Sequence, residues 1–212
     1  MRSRKIAPMK FHELAPSPNN TKIRMALRFK GIPFEAIAVD PADRGAMLEV
    51  SGQELTPVIE DKGIVLNDSE AILHYLDANY RHLPRLFPSG RAGRRACDAW
   101  KDQLDERLVP AWFDIFMFAI KRREAMDPSS PAAFREGLAW LEECVDAEGH
   151  WQGADKPICD LRVAEWVTYA LPGAGLLKRV PLFKKLQGLF AVEPGAFPRL
   201  EAALTPWQER LA

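Results

Sequence analysis

Glu54-Leu55-Thr56-Pro57-Val58-Ile59-Glu60 is followed by Asp61-Lys62-Gly63 and then by Ile64-Val65-Leu66-Asn67-Asp68-Ser69-Glu70-Ala71-Ile72. Two short apolar runs flank an Asp-Lys-Gly turn, the pattern of a β-hairpin. A proline cannot donate to a strand ladder, so Pro57 belongs at the very start of the first strand. A Thr-Pro bond there is a candidate cis bond, which turns the Thr56 backbone groups outward instead of pairing them within the sheet. The second strand runs into Asp68-Ser69, which read as the cap of a helix carrying Ile72, Leu73, Leu76 and Tyr80 on one face. Hairpin edge and helix start are therefore expected side by side. Backbone groups, a hydroxyl and a carboxylate would converge there on a small, peptide-like ligand.

The chain on either side of this stretch fits one topology. Met9 to Leu14 alternates as a strand. Ser17-Pro18 is a helix start, with a hydroxyl at the N-cap and proline at the first helical position. The helix carries Ile23, Ala26 and Leu27 inward and stops at Gly31. Phe34 to Val39 is a second strand, parallel to the first through a right-handed crossover. A polar helical segment, about Asp43 to Val50, leads back to the hairpin. The order is βαβ-α-ββα, a thioredoxin-like α/β domain over 9–86. The Pro- and Arg-rich segment Arg81 to Gly90 reads as a linker, and residues 91–212 follow as an all-α domain. Cys97, Trp100, Leu104 and Leu108, then Trp112, Ile115, Phe116 and Ala119, predict one long helix kinked near Pro110. Further stripes are Phe134 to Val145, Ile158 to Leu171, Phe183 to Phe190 and Phe197 to Leu211.

Composition narrows the function. Lys+Arg and Asp+Glu balance at 29 each, so no net field draws the chain to nucleic acid or to an acidic membrane. No apolar run approaches the length of a membrane span. Residues 1–8 read as a leader that is basic but has no hydrophobic signal core. The 3 cysteines, Cys97, Cys144 and Cys159, are scattered and odd in number, as expected of reduced thiols in a cytoplasm. No phosphate loop, no Gly-x-Ser-x-Gly elbow and no His/Cys spacing for a metal is present.

The pairing of Thr56-Pro57 with Asp68-Ser69 resembles the glutathione site of the cytosolic glutathione S-transferase superfamily. Ser17-Pro18-Asn19-Asn20-Thr21-Lys22-Ile23-Arg24 is similar to the first-helix segment of its bacterial members. The resemblance implies that glutathione is the co-substrate and that Thr56-Pro57 pairs its cysteinyl backbone. It also implies that Ser69 and Asp68 hold its γ-glutamyl end, with Gln53 and Glu54 near enough to add contacts. A homodimer and a small hydrophobic electrophile are expected from the family alone, with the electrophile pocket between the domains. Trp100, Leu104, Trp112 and Phe116 are possible walls of that pocket, though such side chains more often form plain core. A hydroxyl or amide beside the sulfur would favour the thiolate, whose unperturbed pKa is roughly 8.5. The family places a Tyr, Ser or Cys in the first turn; this chain offers the hydroxyls of Ser17 and Thr21, with the amides of Asn19 and Asn20 as further donors. Of these, Ser17 leads by its place at the helix start and Asn19 comes next. Ser17 is either that donor or only a helix cap. The expected reaction is thiolate attack on an electrophile. A glutathione-binding module without catalysis, or a glutathione-dependent peroxidase or isomerase, stays open beside it. In the helical half, Pro157-Ile158-Cys159-Asp160 matches a family capping box with proline in place of the hydroxyl residue.

Overall fold

The computed structural model describes residues 8–14, 16–151, 156–172, 186 and 188–211. The chain divides into two compact units, Met1–Leu86 and Phe87–Ala212.

Met9–Glu13 makes β1, buried at Met9, Phe11 and His12, and Pro18–Lys30 makes α1. Gly31 ends this helix in the left-handed region (φ 69°), where a side chain would be strained. Next come β2 (Phe34–Ala38), α2 (Gly45–Ser51), β3 (Val58–Asp61), β4 (Ile64–Asn67) and α3 (Ser69–Asn79). The sheet order is β2-β1-β3-β4. β1 and β2 are parallel, while β1–β3 and β3–β4 are antiparallel. This is the expected thioredoxin-like arrangement. Lys62 (φ 51°) and Gly63 (φ 83°) form the two-residue hairpin turn, both left-handed as a primed turn requires. Asp61 therefore belongs to β3, not to the turn. Phe11, Val58 and Ile59 of the sheet are buried with Ile23, Ala26 and Leu27 of α1 and Ile72, Leu73 and Leu76 of α3. The Thr56-Pro57 bond is cis.

Lysines hold α1 against α3 by unusual means. Lys30 is fully buried, and its ammonium reaches Asp77 Oδ1 at 2.8 Å and the Pro84 carbonyl at 2.7 Å. Lys22, also buried, pairs with Glu70 at 3.2 Å. A buried ammonium is tolerated only when such partners replace its water.

The second unit is helical. Its named helices are α4 (Arg91–Arg107), α5 (Val109–Ala119), α6 (Ser130–Cys144), α7 (Pro157–Val167) and α8 (Pro198–Glu209). The single kinked helix expected around Pro110 is two helices, parted at Leu108. Proline lacks an N–H and crowds the carbonyl four residues back, here that of Glu106, so the ladder breaks just before it. α6 packs on this break. A Cβ on Gly137 would lie 2.9 Å from Leu108 Cδ1 and 3.1 Å from the Arg107 carbonyl oxygen, so only glycine allows the approach. Trp112 donates its indole N–H to the Trp166 carbonyl (3.0 Å) and stacks on Phe116 at 4.6 Å. Helix α7 ends at Val167 and continues as turns through Ala170, short of the predicted Leu171. Phe183 lies outside the described residues; Leu186 and Phe190 are buried. Pro157 stands at the first helical position with Lys156 as the cap residue, so Asp160 falls one place beyond the box position. The capping box is therefore absent in register as well as in residue type.

Candidate functional site

Ser17 sits where the chain turns from extended backbone (φ −141°, ψ 130°) into α1, and its carbonyl accepts the Thr21 N–H at 2.8 Å. Its hydroxyl makes no capping hydrogen bond. The helix start is supplied by Pro18 geometry instead, which leaves the Ser17 hydroxyl uncommitted at the positive end of the helix.

Asn19, in the first turn of α1, is exposed but tied: Ser69 donates its hydroxyl to Asn19 Oδ1 at 3.1 Å. Ser69 is the first residue of α3 and is buried. This bond therefore joins the N-termini of two helices. Both present backbone N–H groups that lack partners within their own helix, and both carry positive partial charge. Asp68 caps α3 by accepting the Ala71 N–H at 2.9 Å. It does so from φ 71° and ψ 119°, a conformation costing about 1–3 kcal/mol for a residue other than glycine.

Thr56 lies just ahead of β3. Among the described residues, its backbone takes no turn or loop hydrogen bond. Its hydroxyl accepts from Asn20 Nδ2 at 2.9 Å. Pro57 is buried beside it. Gln53, the other expected ligand contact, bonds within its own loop. Its Nε2 donates to the Leu55 carbonyl at 2.9 Å and its Oε1 accepts the Leu55 N–H at 3.0 Å, so both ends of the amide shape its own loop. Trp100, Leu104, Trp112 and Phe116 are all buried side chains of the helical unit.

Two contacts escaped the sequence reading, in which the Asn20 amide figured only as a further donor of the first turn. Asn20 links the first turn to the hairpin, and the Lys22–Glu70 pair braces α1 against α3 directly below the Asn19–Ser69 bond. A signal for the first existed. Asparagine competes poorly for helix interiors, so two in succession within a first turn point to tertiary duties. Among the described residues no group of three His, Cys, Asp or Glu side chains could hold a metal, and no helix is long and apolar enough to cross a membrane.

A thioredoxin-like unit with a cis Thr-Pro bond ahead of β3 and two joined helix N-termini, followed by a helical unit, has the glutathione transferase architecture. Residues 11–85 match the glutathione S-transferase N-terminal domain family. A probable glutathione S-transferase of Oryza sativa subsp. japonica is 27% identical over 200 residues, covering 92% of this chain and 80% of its own. In fold, the chain is similar to glutathione transferase Omega 3C from Trametes versicolor (TM-score 0.71, 21% identity, 97% of this chain and 88% of that one). It is also similar to rice GST1 in complex with glutathione (TM-score 0.66, 19% identity, 96% and 86%). The chain thus carries a glutathione S-transferase N-terminal domain over residues 11–85, and along its length it has the glutathione transferase fold.

Proposed function

We propose that the protein is a glutathione transferase. Its N-terminal unit would bind glutathione, and the thiolate sulfur of that glutathione would form a bond to the electrophilic carbon of a small hydrophobic substrate. The attack would either expel a leaving group with its bonding pair or add to an activated double bond whose displaced pair then takes a proton from solvent. The observation that carries this reading is the Ser69–Asn19 hydrogen bond, which brings two helix N-termini together beside Thr56. Two positive helix ends at one place suit a ligand with a carboxylate at one end and a thiolate near its middle. In this assignment the Ser69 N–H receives the γ-glutamyl carboxylate and Asp68 faces the adjacent ammonium. The Thr56 backbone, next to Pro57, pairs with the cysteinyl unit. Gln53 acts indirectly, by holding Leu55 and hence the approach to Thr56.

Ser17 is assigned as the thiolate donor. Asn19 spends its Oδ1 on Ser69, which leaves its Nδ2 as the second donor of the turn. The domains assigned are 9–86 for glutathione and 91–212 for the helical half. The free thiols Cys97, Cys144 and Cys159 support a reducing, cytoplasmic setting, and homodimerisation follows the family.

Calorimetric titration with glutathione, paired with a panel of electrophiles, peroxides and cis–trans isomerisable diacids, tests the reading. Saturable binding with turnover of an electrophile is expected. Binding without turnover of any substrate would leave a binding module, and no binding would reject the proposal.

A further inference from the structure

We propose that Asn20 is a positioning residue for glutathione, acting through the Thr56 hydroxyl; the proposal rests on the glutathione reading above. Asn20 is 2% exposed, and its Nδ2 has two acceptors: the Leu14 carbonyl at 3.1 Å and Thr56 Oγ1 at 2.9 Å. The Leu14 carbonyl can only accept, which fixes the amide with nitrogen toward it. Both Nδ2 hydrogens are thereby committed. Asn20 Oδ1 is buried and has no hydrogen-bond partner among the described residues.

What the arrangement achieves is polarity and placement. Thr56 Oγ1 accepts from Asn20, so its own proton is free to be donated. Thr56 has no other side-chain partner among the described residues. The hydroxyl therefore becomes an oriented donor, beside backbone groups that take no turn or loop hydrogen bond. The same amide ties the end of β1, which leads into the Ser17 turn, to the segment ahead of β3. The part of the site assigned to the thiol and the part assigned to the cysteinyl backbone are thus held in one register by a single side chain. A charge-neutral donor of this length is required. Aspartate would set a carboxylate against the Leu14 carbonyl, and serine would not span both acceptors.

A double-mutant cycle read by calorimetric titration with glutathione separates this from a merely structural role. Asn20→Ala and Thr56→Val should each raise the dissociation constant about tenfold, the scale of one hydrogen bond. The double variant should also lose about tenfold, not a hundredfold, because both changes remove one device. Thr56→Ser should bind like the wild type. Additive losses, or wild-type affinity in Thr56→Val, would overturn the inference while leaving the glutathione reading intact. If Asn20→Ala does not fold, Thr56→Val and Thr56→Ser decide alone: loss in the first with retention in the second supports the role, and any other pair of results overturns it. Absence of binding by the wild type would overturn both readings together.

Discussion

Lys30 places its ammonium 2.8 Å from Asp77 Oδ1, with the lysine side chain wholly removed from water. Asp77 in turn accepts the Leu86 N–H at 3.0 Å. One ion pair thus fastens the end of α1, the last turn of α3 and the last residues of the first unit. Lys30→Met should cost about 3–5 kcal/mol, because it leaves the Asp77 charge without its cation. Lys30→Met with Asp77→Leu should recover part of that loss, the remainder persisting because the Pro84 carbonyl and the Leu86 N–H lose these partners. Urea denaturation of the three proteins checks this. A single variant as stable as the wild type would show that the pair is dispensable.

Asp61 governs a second polar knot. The Tyr75 and Tyr80 hydroxyls donate to its Oδ2 at 2.8 and 2.7 Å. Burial, then the bond to Asp61, pushes the Tyr75 phenol up to about 12 and raises Tyr80 as well. A folded-state value above the ordinary 10.0 means that the contribution to stability is complete below pH 10 and is lost as the pH rises toward 12. Asp61→Asn should bring the Tyr75 titration down without restoring it fully, since burial is the larger cause. Phenolate absorbance against pH, with Tyr75→Phe subtracted, measures the shift. An unchanged Tyr75 curve would contradict the assigned role of Asp61.

In the helical unit, Asp114 accepts from Ser130 Oγ (2.8 Å), the Asp127 N–H (2.8 Å) and Arg123 Nη1 (2.6 Å). The Ser130 bond first, then the Asp127 and Arg123 contacts, hold its carboxyl below the usual carboxylate value against the opposing effect of burial. Its contribution is therefore present above about pH 4 and lost as the pH falls through the lowered folded value. Asp114→Asn should lower the melting temperature at neutral pH and flatten its decline in acid. Parallel acid limbs in the two proteins would refute this.

What could be read from the sequence was what neighbouring residues dictate. Lys62-Gly63 announces its turn by backbone conformation, Gly31 its helix end, and Ser17-Pro18 its helix start, each within a few residues of the feature. The pairing of Thr56-Pro57 with Asp68-Ser69 was legible because the hairpin connecting them has a fixed length. Features that depend on distant partners were not. Asn20 is polar and helical, and its purpose appears only when Thr56 arrives 36 residues later. Nothing in the residue types around Gln53 reveals that both ends of its amide bond Leu55. The break at Leu108 was read as a bend, since periodicity alone cannot tell a kink from a new helix. The approach of Cys97 and Cys159 to 3.2 Å, both thiols buried, joins helices 62 residues apart without any local signal.

Asp68 has two duties that one substitution would confuse. It caps α3 and, in the proposed function, it faces the ligand's ammonium group. Asp68→Ala removes the cap and also strains alanine at φ 71°, so stability should fall by about 0.5–2 kcal/mol for the cap alone. Asp68→Asn keeps a capping oxygen and tolerates the left-handed region, yet has no charge. It should leave the melting temperature near wild type while weakening glutathione by about 1.5–3 kcal/mol, the scale of a charged hydrogen bond. Calorimetric titration beside a melting curve distinguishes the duties. Unchanged affinity in Asp68→Asn would remove Asp68 from the binding site.

Ser17 allows the sharpest test. It stands at the positive end of α1 with a hydroxyl that performs no capping. Thr21, about one helical turn further on, has its N–H bonded to the Ser17 carbonyl and its side chain carried along the helix. If the Ser17 hydroxyl donates to the sulfur of bound glutathione, Ser17→Ala should raise the thiol pKa by roughly one unit, about 1.4 kcal/mol. Affinity at low pH, where the thiol is protonated, should barely change. Stability should also hold, because no capping bond is lost; a pure N-cap would instead cost about 1 kcal/mol. Asn19→Ala should act on another axis. It deletes the acceptor of the Ser69 hydroxyl, so it should weaken glutathione at every pH and leave the titration midpoint in place. Thiolate absorbance against pH for the wild type and both variants resolves the roles. A midpoint that moves only in Asn19→Ala would transfer the thiolate contact to Asn19, and a midpoint that moves in neither would leave the helix dipole as the source of activation.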